Sequence, residues 1–152
     1  MADVQTTYTE NAPIGILGTK VNGEEYNAIT RVAEAAIPFG RPVMRGAADQ
    51  GCLVASAALT AASFLGICLR DISVVYSSAG GYPIRSNVAI LTTGTIWGVV
   101  GEAVLPGEAV LYDTATGKYM KTAGAGRVAI PQFEFDSTAA NNGLAIIVRR
   151  KD

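Results

Sequence analysis

From residue 86 onward, the sequence consists of short apolar runs separated by turn residues at close intervals. The runs are, in order, SNVAILTTG, TIWGVV, AVLPG, EAVLYD, KYMKT, VAIPQFEF and LAIIV. Parallel βαβ units would need longer periodic stretches for their helices, so this spacing favours an antiparallel sandwich or barrel. The sequence therefore predicts an all-β fold. Turn spacing does not encode strand order, so jelly-roll-like, tulip-like and other topologies stay open.

One hairpin is predicted in detail, around the turn at residues 113 to 117. Val110 and Tyr112 alternate along the first strand and share a face, and Tyr119 lies opposite them on the second strand. Gly117 suits a turn position with positive φ. These residues are expected to pack across the hairpin.

The first half of the chain is less regular. Residues 1 to 25 contain scattered polar residues, one proline and several glycines, which predicts an extended N-terminal arm. Residues 26 to 152 show no linker or repeat and are predicted to form a single β-rich domain. Within it, YNAITRVAEAAI is interpreted as a strand, although a helical stripe also fits, and PVMRG is interpreted as a short strand before a turn.

The most apolar stretch lies between residues 52 and 76. Its alanine-rich part, Ala55 to Ala62, could be helical, but alanine does not decide the matter. The β-branched and aromatic residues of Phe64 to Leu69 and Ile72 to Tyr76 predict two strands, or one bulged strand.

The chain of 152 residues contains no histidine, which excludes Ser-His-Asp and Cys-His catalysis within it. Two cysteines, Cys52 and Cys68, are too few for an ordinary four-ligand structural zinc site. Both have apolar neighbours, which favours buried free thiols over a disulfide. We therefore expect neither metal nor cofactor.

Charge and hydropathy bear on partners. A formal net charge of −1 gives no indication of nucleic-acid or membrane binding, and no apolar run or leader pattern indicates export, so we expect a product of a reducing cytoplasm. Charged residues make up only 16% of the chain. So few charges suggest that part of the surface is covered by further copies or by a partner.

The carboxylate groupings do not indicate an active site. Glu24 and Glu25, or Glu102 and Glu108, flank turns instead of facing each other across a cleft. In FEFD, Phe133 and Phe135 are expected on the buried face, with Glu134 and Asp136 on the polar one. The string DTATGKY lacks the first glycine of a phosphate loop, and GAGR is a lone Gly-x-Gly.

The termini and the single tryptophan are the remaining candidates. Arg149, Arg150 and Lys151 form a basic end, which is either a solvated tail or a contact for an acidic partner surface. Trp97 is predicted to lie in the core, with an interface anchor as the alternative.

An ordered set of segments resembles the structural cement, or head decoration, proteins of tailed bacteriophages. The segments are MADVQTTYTENAPIG, FGRPVMRG, FLGICLRDISV, LTTGTIWGVV, LPGEAVLYDTATGKYMKT and FDSTAANNGLAIIVR. Each is weak alone, so the specificity lies in their order along nearly the whole chain. The stretch from Ala55 to Ala62 is longer than the family pattern.

The resemblance implies a non-enzymatic β-rich virion protein, made in the host cytoplasm, that binds the outside of the phage head. It would bridge subunits of the major capsid protein and stabilise the expanded shell, as a dimer or trimer with an extended arm. We expect the arm around Val4 and Tyr8 to add an extended segment to the shell or to a neighbouring copy. Arg149 and Arg150 are the other expected partner-binding residues.

A carbohydrate- or receptor-binding module on the virion surface is the alternative. Tyr76, Tyr82, Tyr112 and Tyr119 would then form an exposed aromatic platform, although the hairpin tyrosines fit cross-strand packing equally well. A hydrolase is disfavoured, because without histidine it would depend on unassisted carboxylates or a Ser-Lys pair, and no spacing marks either.

Overall fold

The computed structural model describes residues 15–74 and 80–150, which form an all-β structure. No helix that could cross a membrane occurs among these residues. The described strands are β1 (Asn27–Ala33), β2 (Ile37–Pro38), β3 (Pro42–Arg45), β4 (Gly51–Val54), β5 (Phe64–Cys68), β6 (Gly81–Tyr82), β7 (Asn87–Val99), β8 (Ala109–Asp113), β9 (Tyr119–Met120), β10 (Arg127–Phe135) and β11 (Leu144–Arg149).

Five strands close into a barrel, which we call the first ring. The order is β1-β4-β3-β5-β7, and β7 pairs back onto β1. The pairs are antiparallel except for β1 with β4, where Val32 lies opposite Gly51 in a parallel register. The short ribbon of β2 and β6 pairs Ile37 with Tyr82, and both side chains belong to the core of this barrel.

The second half of the chain forms a second ring, which includes the C-terminal part of β7. Its order is β7-β11-β10-β8-β9, all antiparallel. A parallel bridge between Val100 and Tyr119 then brings β9 back to the end of β7. The alternatives of sandwich and barrel are thus decided in favour of a barrel-like closed sheet.

Strand β7 is shared by both rings because its pairing partner changes at Gly94. Residues up to Thr93 pair with β1, whereas Gly94 and the residues after it pair with β11. Gly94 has φ +126°, and a Cβ on it would lie 2.8 Å from the Cβ of Tyr26. A side chain would be strained there and would clash, so glycine allows the strand to pass from one ring to the next.

Two apolar cores fill the rings, and the second core also includes side chains from β5 and from the start of β7. The first contains residues such as Val43, Val88 and Ile90, and the second contains Tyr119, Phe135 and Ile147. These side chains are at most 1% exposed. Along β8 and at the end of β10, buried side chains alternate with more exposed ones, as the strand period predicts.

The best-defined local predictions are confirmed. Tyr112 pairs with Tyr119 in the β8–β9 hairpin, and their ring centroids lie 5.7 Å apart. Gly117 has φ +70°. On β10, Phe133 and Phe135 are buried, whereas Glu134 is exposed.

The prediction of a strand at Ile72 to Tyr76 is wrong for its described part. Residues 72 to 74 form a turn, and Ile72 is 94% exposed. The Asp71 carboxylate accepts hydrogen bonds from the backbone nitrogen of Ser73 at 2.8 Å and from its hydroxyl at 2.6 Å. This local bonding competes with strand pairing. Residues 75 and 76 lie outside the described part.

Two ambiguous segments are resolved. YNAITRVAEAAI forms β1 and the start of β2, as a strand and not a helix. The alanine-rich stretch is a pair of turns in which Leu59 and Ser63 donate backbone hydrogen bonds to Ser56 and Thr60. Strand β5 then begins at Phe64, in agreement with the prediction for Phe64 to Leu69.

Candidate interaction surface

Residues 18 to 21 lie along β7 and extend its sheet. The backbone nitrogen of Gly18 donates to the carbonyl of Trp97 at 2.9 Å, and the nitrogen of Trp97 donates to Thr19 at 3.0 Å. Val21 donates to Thr95 at 3.3 Å. The described end of the predicted arm is therefore bound to its own domain in the manner of strand addition. The predicted domain boundary at residue 25 stays a prediction.

Trp97 lies beneath this segment. Its side chain is 9% exposed but belongs to neither of the two core clusters. Gly15 lies so close to the indole that a Cβ on it would overlap the ring. An apolar groove of about 640 Å³ continues from the indole past Leu144 and Ile146. Trp97 is buried as predicted, but on the outer face of the sheet.

Arg150 connects the N-terminal segment to the end of β10. Its guanidinium donates to both carboxylate oxygens of Glu24 at 3.3 Å and to Asp136 at 2.9 Å. Hydrogen bonds from Arg150 and from the Asn22 amide lower the pKa of Glu24. The side chain of Arg150 is 52% exposed, so salt screens these pairs.

Arg149 lies in a different environment from Arg150. It is half-buried at the end of β11, where it is the register partner of Gly94. Its side chain has no hydrogen bond or ion pair with any of the described residues. Successive residues of a strand point to opposite faces, which separates the two arginines.

A polar cleft surrounds Arg149, where the start of β1 meets the end of β11 along β7. It has a volume of about 420 Å³, and we call it the Arg149 cleft; it is lined by Glu25, Tyr26, Asn27, Thr93 and Arg149. Tyr26 is 51% exposed, and the Lys20 ammonium lies 3.4 Å from its ring centroid. Thr93 is paired with Asn27, one position before Gly94, so sheet register fixes the cleft walls.

The carboxylates considered as acid-base candidates have structural partners. Glu102 accepts hydrogen bonds from the backbone nitrogens of Lys121 and Thr122 at 2.6 and 2.7 Å. Desolvation raises its pKa, but these hydrogen bonds outweigh that effect and hold the pKa below its usual value. Glu108 accepts from the Leu105 nitrogen at 2.8 Å and pairs with Lys121 at 3.2 Å. Both carboxylates therefore anchor turns.

The two thiols are buried and free, as predicted. The Cys68 thiol donates to the carbonyl of Pro38 at 3.0 Å. Burial raises its pKa to about 12 and that of Cys52 to about 11. A thiol that keeps its proton is a poor nucleophile and a poor metal ligand. Among the described residues, no group of three or more acidic or cysteine side chains is placed to hold a metal ion.

The exposed tyrosine platform is not formed. Tyr82, Tyr112 and Tyr119 are each 1% exposed, because their hydroxyls bond inside the protein while their rings fill the cores. Tyr82 donates to the Leu69 carbonyl at 2.6 Å. Tyr76 lies outside the described residues.

Two of the four predicted partner-binding residues, Val4 and Tyr8, also lie outside the described part. Arg149 and Arg150 are described and lie on different faces. The sequence reasoning missed the Arg149 cleft, because Tyr26, Asn27 and Thr93 are far from Arg149 along the chain. The alternation of side chains along an extended segment could have predicted that the consecutive residues Arg149 and Arg150 have different neighbours.

Comparison with known proteins gives a family. Residues 4–150 match the model of the family described as structural cement protein (E217 gp24/Pam3 gp6). A chain from the solved structure "The capsid of Myoviridae Phage XM1" has the same fold, with a TM-score of 0.79 and 18% identity, over 99% of both chains. No curated protein matches the chain.

Proposed function

The chain belongs to the structural cement protein family, and from this membership we propose that it binds the outer surface of an expanded phage head and joins neighbouring major capsid protein subunits. Its role is structural and stabilises the capsid. The observation that carries the proposal is the family match over residues 4–150, which includes both rings of the fold.

Cementing follows from binding equilibria. A protein that binds the assembled lattice, but not separated subunits, stabilises the lattice by mass action. A copy that contacts two or three subunits at once gains effective concentration from the first contact, so modest individual contacts are sufficient. A closed double ring with apolar cores supports this role, because a pre-organised surface lowers the entropic cost of binding.

The contacts proposed for this role lie at the two termini. The arm around Val4 and Tyr8 would add an extended segment to the shell or to a neighbouring copy. The described residues 18 to 21 already bind the edge of β7 opposite β11 through backbone hydrogen bonds, which supports this mode. Arg149 would contact the capsid directly, and Arg150 would contribute from a separate face while holding Glu24.

Self-association and location complete the proposal. Dimers or trimers at symmetry axes would place several arms on neighbouring capsid subunits. The protein would be made in the host cytoplasm and carried on the outside of the virion. It has no catalytic role in this proposal, which is supported by the structural use of Glu102 and Glu108 and by the protonated thiols.

The first test is co-sedimentation of the purified protein with expanded, undecorated capsids of its own phage, titrated to saturation. Saturable binding to capsids, with no binding to unassembled capsid protein, is expected. The copy number per capsomer would then distinguish two-fold from three-fold sites. An intact, folded protein that does not bind capsids would contradict the proposal.

The arm is tested separately by deleting residues 2 to 12. This deletion leaves every described strand and the contact of Gly15 with Trp97 in place. Capsid binding should be lost while the thermal unfolding transition is retained. Full-strength binding by the shortened protein would rule out the arm as the capsid contact.

A further inference from the structure

Arg150 is paired with two carboxylates, whereas the adjacent Arg149 lines a cleft. We infer that the Arg149 cleft binds a single carboxylate side chain presented by the capsid protein. This inference rests on the proposed function and names the chemistry of one contact. It predicts that Arg149 forms an ion pair with a capsid aspartate or glutamate when the protein is bound to the shell.

The guanidinium of Arg149 supports this inference, because its donors have no partner among the described residues. Arg149 is half-buried and has no hydrogen-bond or ion-pair partner among residues 15–74 and 80–150. A guanidinium carries five donors in a planar fork, which matches the two oxygens of a carboxylate. The neighbouring Arg150, although more exposed, has two carboxylate partners. Glu24 and Asp136 are therefore paired with Arg150, and neither is paired with Arg149.

The size of the Arg149 cleft and its fixed walls also support the inference. Its volume of about 420 Å³ lies within the range of roughly 300–1,000 Å³ typical of sites that enclose a small ligand. Strand register fixes its walls, because Asn27 and Arg149 are paired with the consecutive residues Thr93 and Gly94. Groups placed by register are pre-organised, which lowers the entropic cost of binding.

The side chains that line the cleft can bind both parts of an acidic residue. The side chains of Asn27 and Thr93 can donate to a carboxylate or accept from a peptide nitrogen. Tyr26 offers a half-exposed ring for the stem of an acidic side chain, and Lys20 already lies against that ring. These groups suit an acidic residue within a peptide.

The charges of the cleft favour a single carboxylate over a polyanion. Glu25 lines the cleft with Arg149 but is not paired with it. One guanidinium beside one carboxylate gives little net attraction for a strand of phosphates, whereas the guanidinium can bind one carboxylate held away from Glu25. A neutral glycan would leave the guanidinium without its ionic partner. A single acidic side chain is the ligand that these charges favour.

The experiment compares three variants in co-sedimentation with expanded, undecorated capsids at low and high salt. Arg149→Gln should weaken binding by about tenfold or more at low salt, since it removes one partner of a partly buried charge pair. It should also reduce the salt dependence of the dissociation constant. Arg149→Lys keeps the charge without the planar fork and should give an intermediate affinity.

The matched control is Arg45→Gln. Arg45 is exposed at the end of β3, its side chain has no ion pair with the described residues, and it does not line the cleft. This variant removes the same charge and should bind like the unmodified protein. Equal weakening by both glutamine variants would indicate general electrostatic attraction and would overturn the inference.

The outcomes separate this inference from the proposed function. If the unmodified protein does not bind capsids, the proposed function fails. If it binds and Arg149→Gln, with an unchanged thermal midpoint, binds equally well, only the inference fails. Titration of the unmodified protein with neutral oligosaccharides provides a further control. Glycan binding that is lost in Arg149→Gln would assign the cleft to a sugar and overturn the inference.

Discussion

The hydroxyl of Tyr119 donates a hydrogen bond of 2.7 Å to the carbonyl oxygen of Gly40. Tyr119 lies on β9 in the second ring, whereas Gly40 lies in the loop between β2 and β3 of the first ring. Beside it, the Arg41 guanidinium donates to the hydroxyl of Tyr112 at 2.8 Å. The hairpin of the second ring is therefore bonded to a loop of the first, in addition to the shared strand β7.

Tyr119→Phe should lower the free energy of unfolding by about 1–3 kcal/mol, because it leaves the buried Gly40 carbonyl without its donor. The ring stays in the core, so the fold should be retained. Urea denaturation measures the difference. Tyr112→Phe is the matched control: its ring is equally buried, but Arg41 can turn towards water, so a smaller loss is expected. A loss as large for Tyr112→Phe would contradict this distinction.

Glu34 should stabilise the turn that contains Ala47 and Ala48, and this stabilisation should depend on pH. Its carboxylate accepts hydrogen bonds from the backbone nitrogens of Ala48 at 2.8 Å and Ala47 at 3.0 Å. These bonds lower its pKa. A lowered folded-state pKa means that the stabilisation is present above the unfolded value, about 4.3, and is lost as the pH falls through the folded value.

Hydrogen exchange measures this effect directly. In Glu34→Gln, the amides of Ala47 and Ala48 should exchange faster than in the unmodified protein near neutral pH. The variant should also lose part of the decline in stability that occurs below about pH 4.3. Unchanged exchange at both amides would show that the carboxylate does not hold the turn.

The free energy of unfolding should fall at alkaline pH because two thiols and a tyrosine hydroxyl are buried in their protonated form. Burial raises the pKa of Cys68 and of Tyr82 to about 12, and that of Cys52 to about 11. The unfolded chain loses these protons first, with a cysteine pKa of about 8.5. Raised folded-state values mean that the stabilisation is complete below the unfolded pKa and is lost as the pH rises towards 11 to 12.

Urea titrations from pH 8 upward measure the slope, and each retained proton contributes about 1.4 kcal/mol per pH unit. The double variant Cys52→Ala, Cys68→Ala should be less stable at pH 8, because it leaves cavities, but should show a shallower alkaline decline. An identical slope in both proteins would exclude the thiols as the cause.

Some parts of this fold follow from local patterns. The β8–β9 hairpin and the alternation around Phe133 and Phe135 depend on neighbouring residues, so strand period and turn chemistry were sufficient. The turn at Ile72 was mispredicted because the bonding of the Asp71 carboxylate to Ser73 outweighed β propensity.

Other parts depend on pairings between distant residues. Closure of the first ring requires the parallel register of Val32 with Gly51, and closure of the second requires the bridge from Val100 to Tyr119. The Arg149 cleft likewise requires the start of β1 beside the end of β11. Such registers depend on the whole sheet and not on any single segment, which explains why sequence patterns gave the class but not the barrel or the cleft.

Trp97 should report whether residues 15 to 21 stay bound to β7. It is the only tryptophan, so emission excited at wavelengths that tyrosine does not absorb comes from the ring that Gly15 covers. Deleting residues 2 to 12 should leave the emission maximum unchanged, because Gly15 and the backbone bonds to Trp97 remain. Deleting residues 2 to 21 should expose the indole, shift its emission to longer wavelength and increase quenching by acrylamide. Unchanged emission and quenching in the longer deletion, with the fold intact, would show that the outer groove buries Trp97 without this segment.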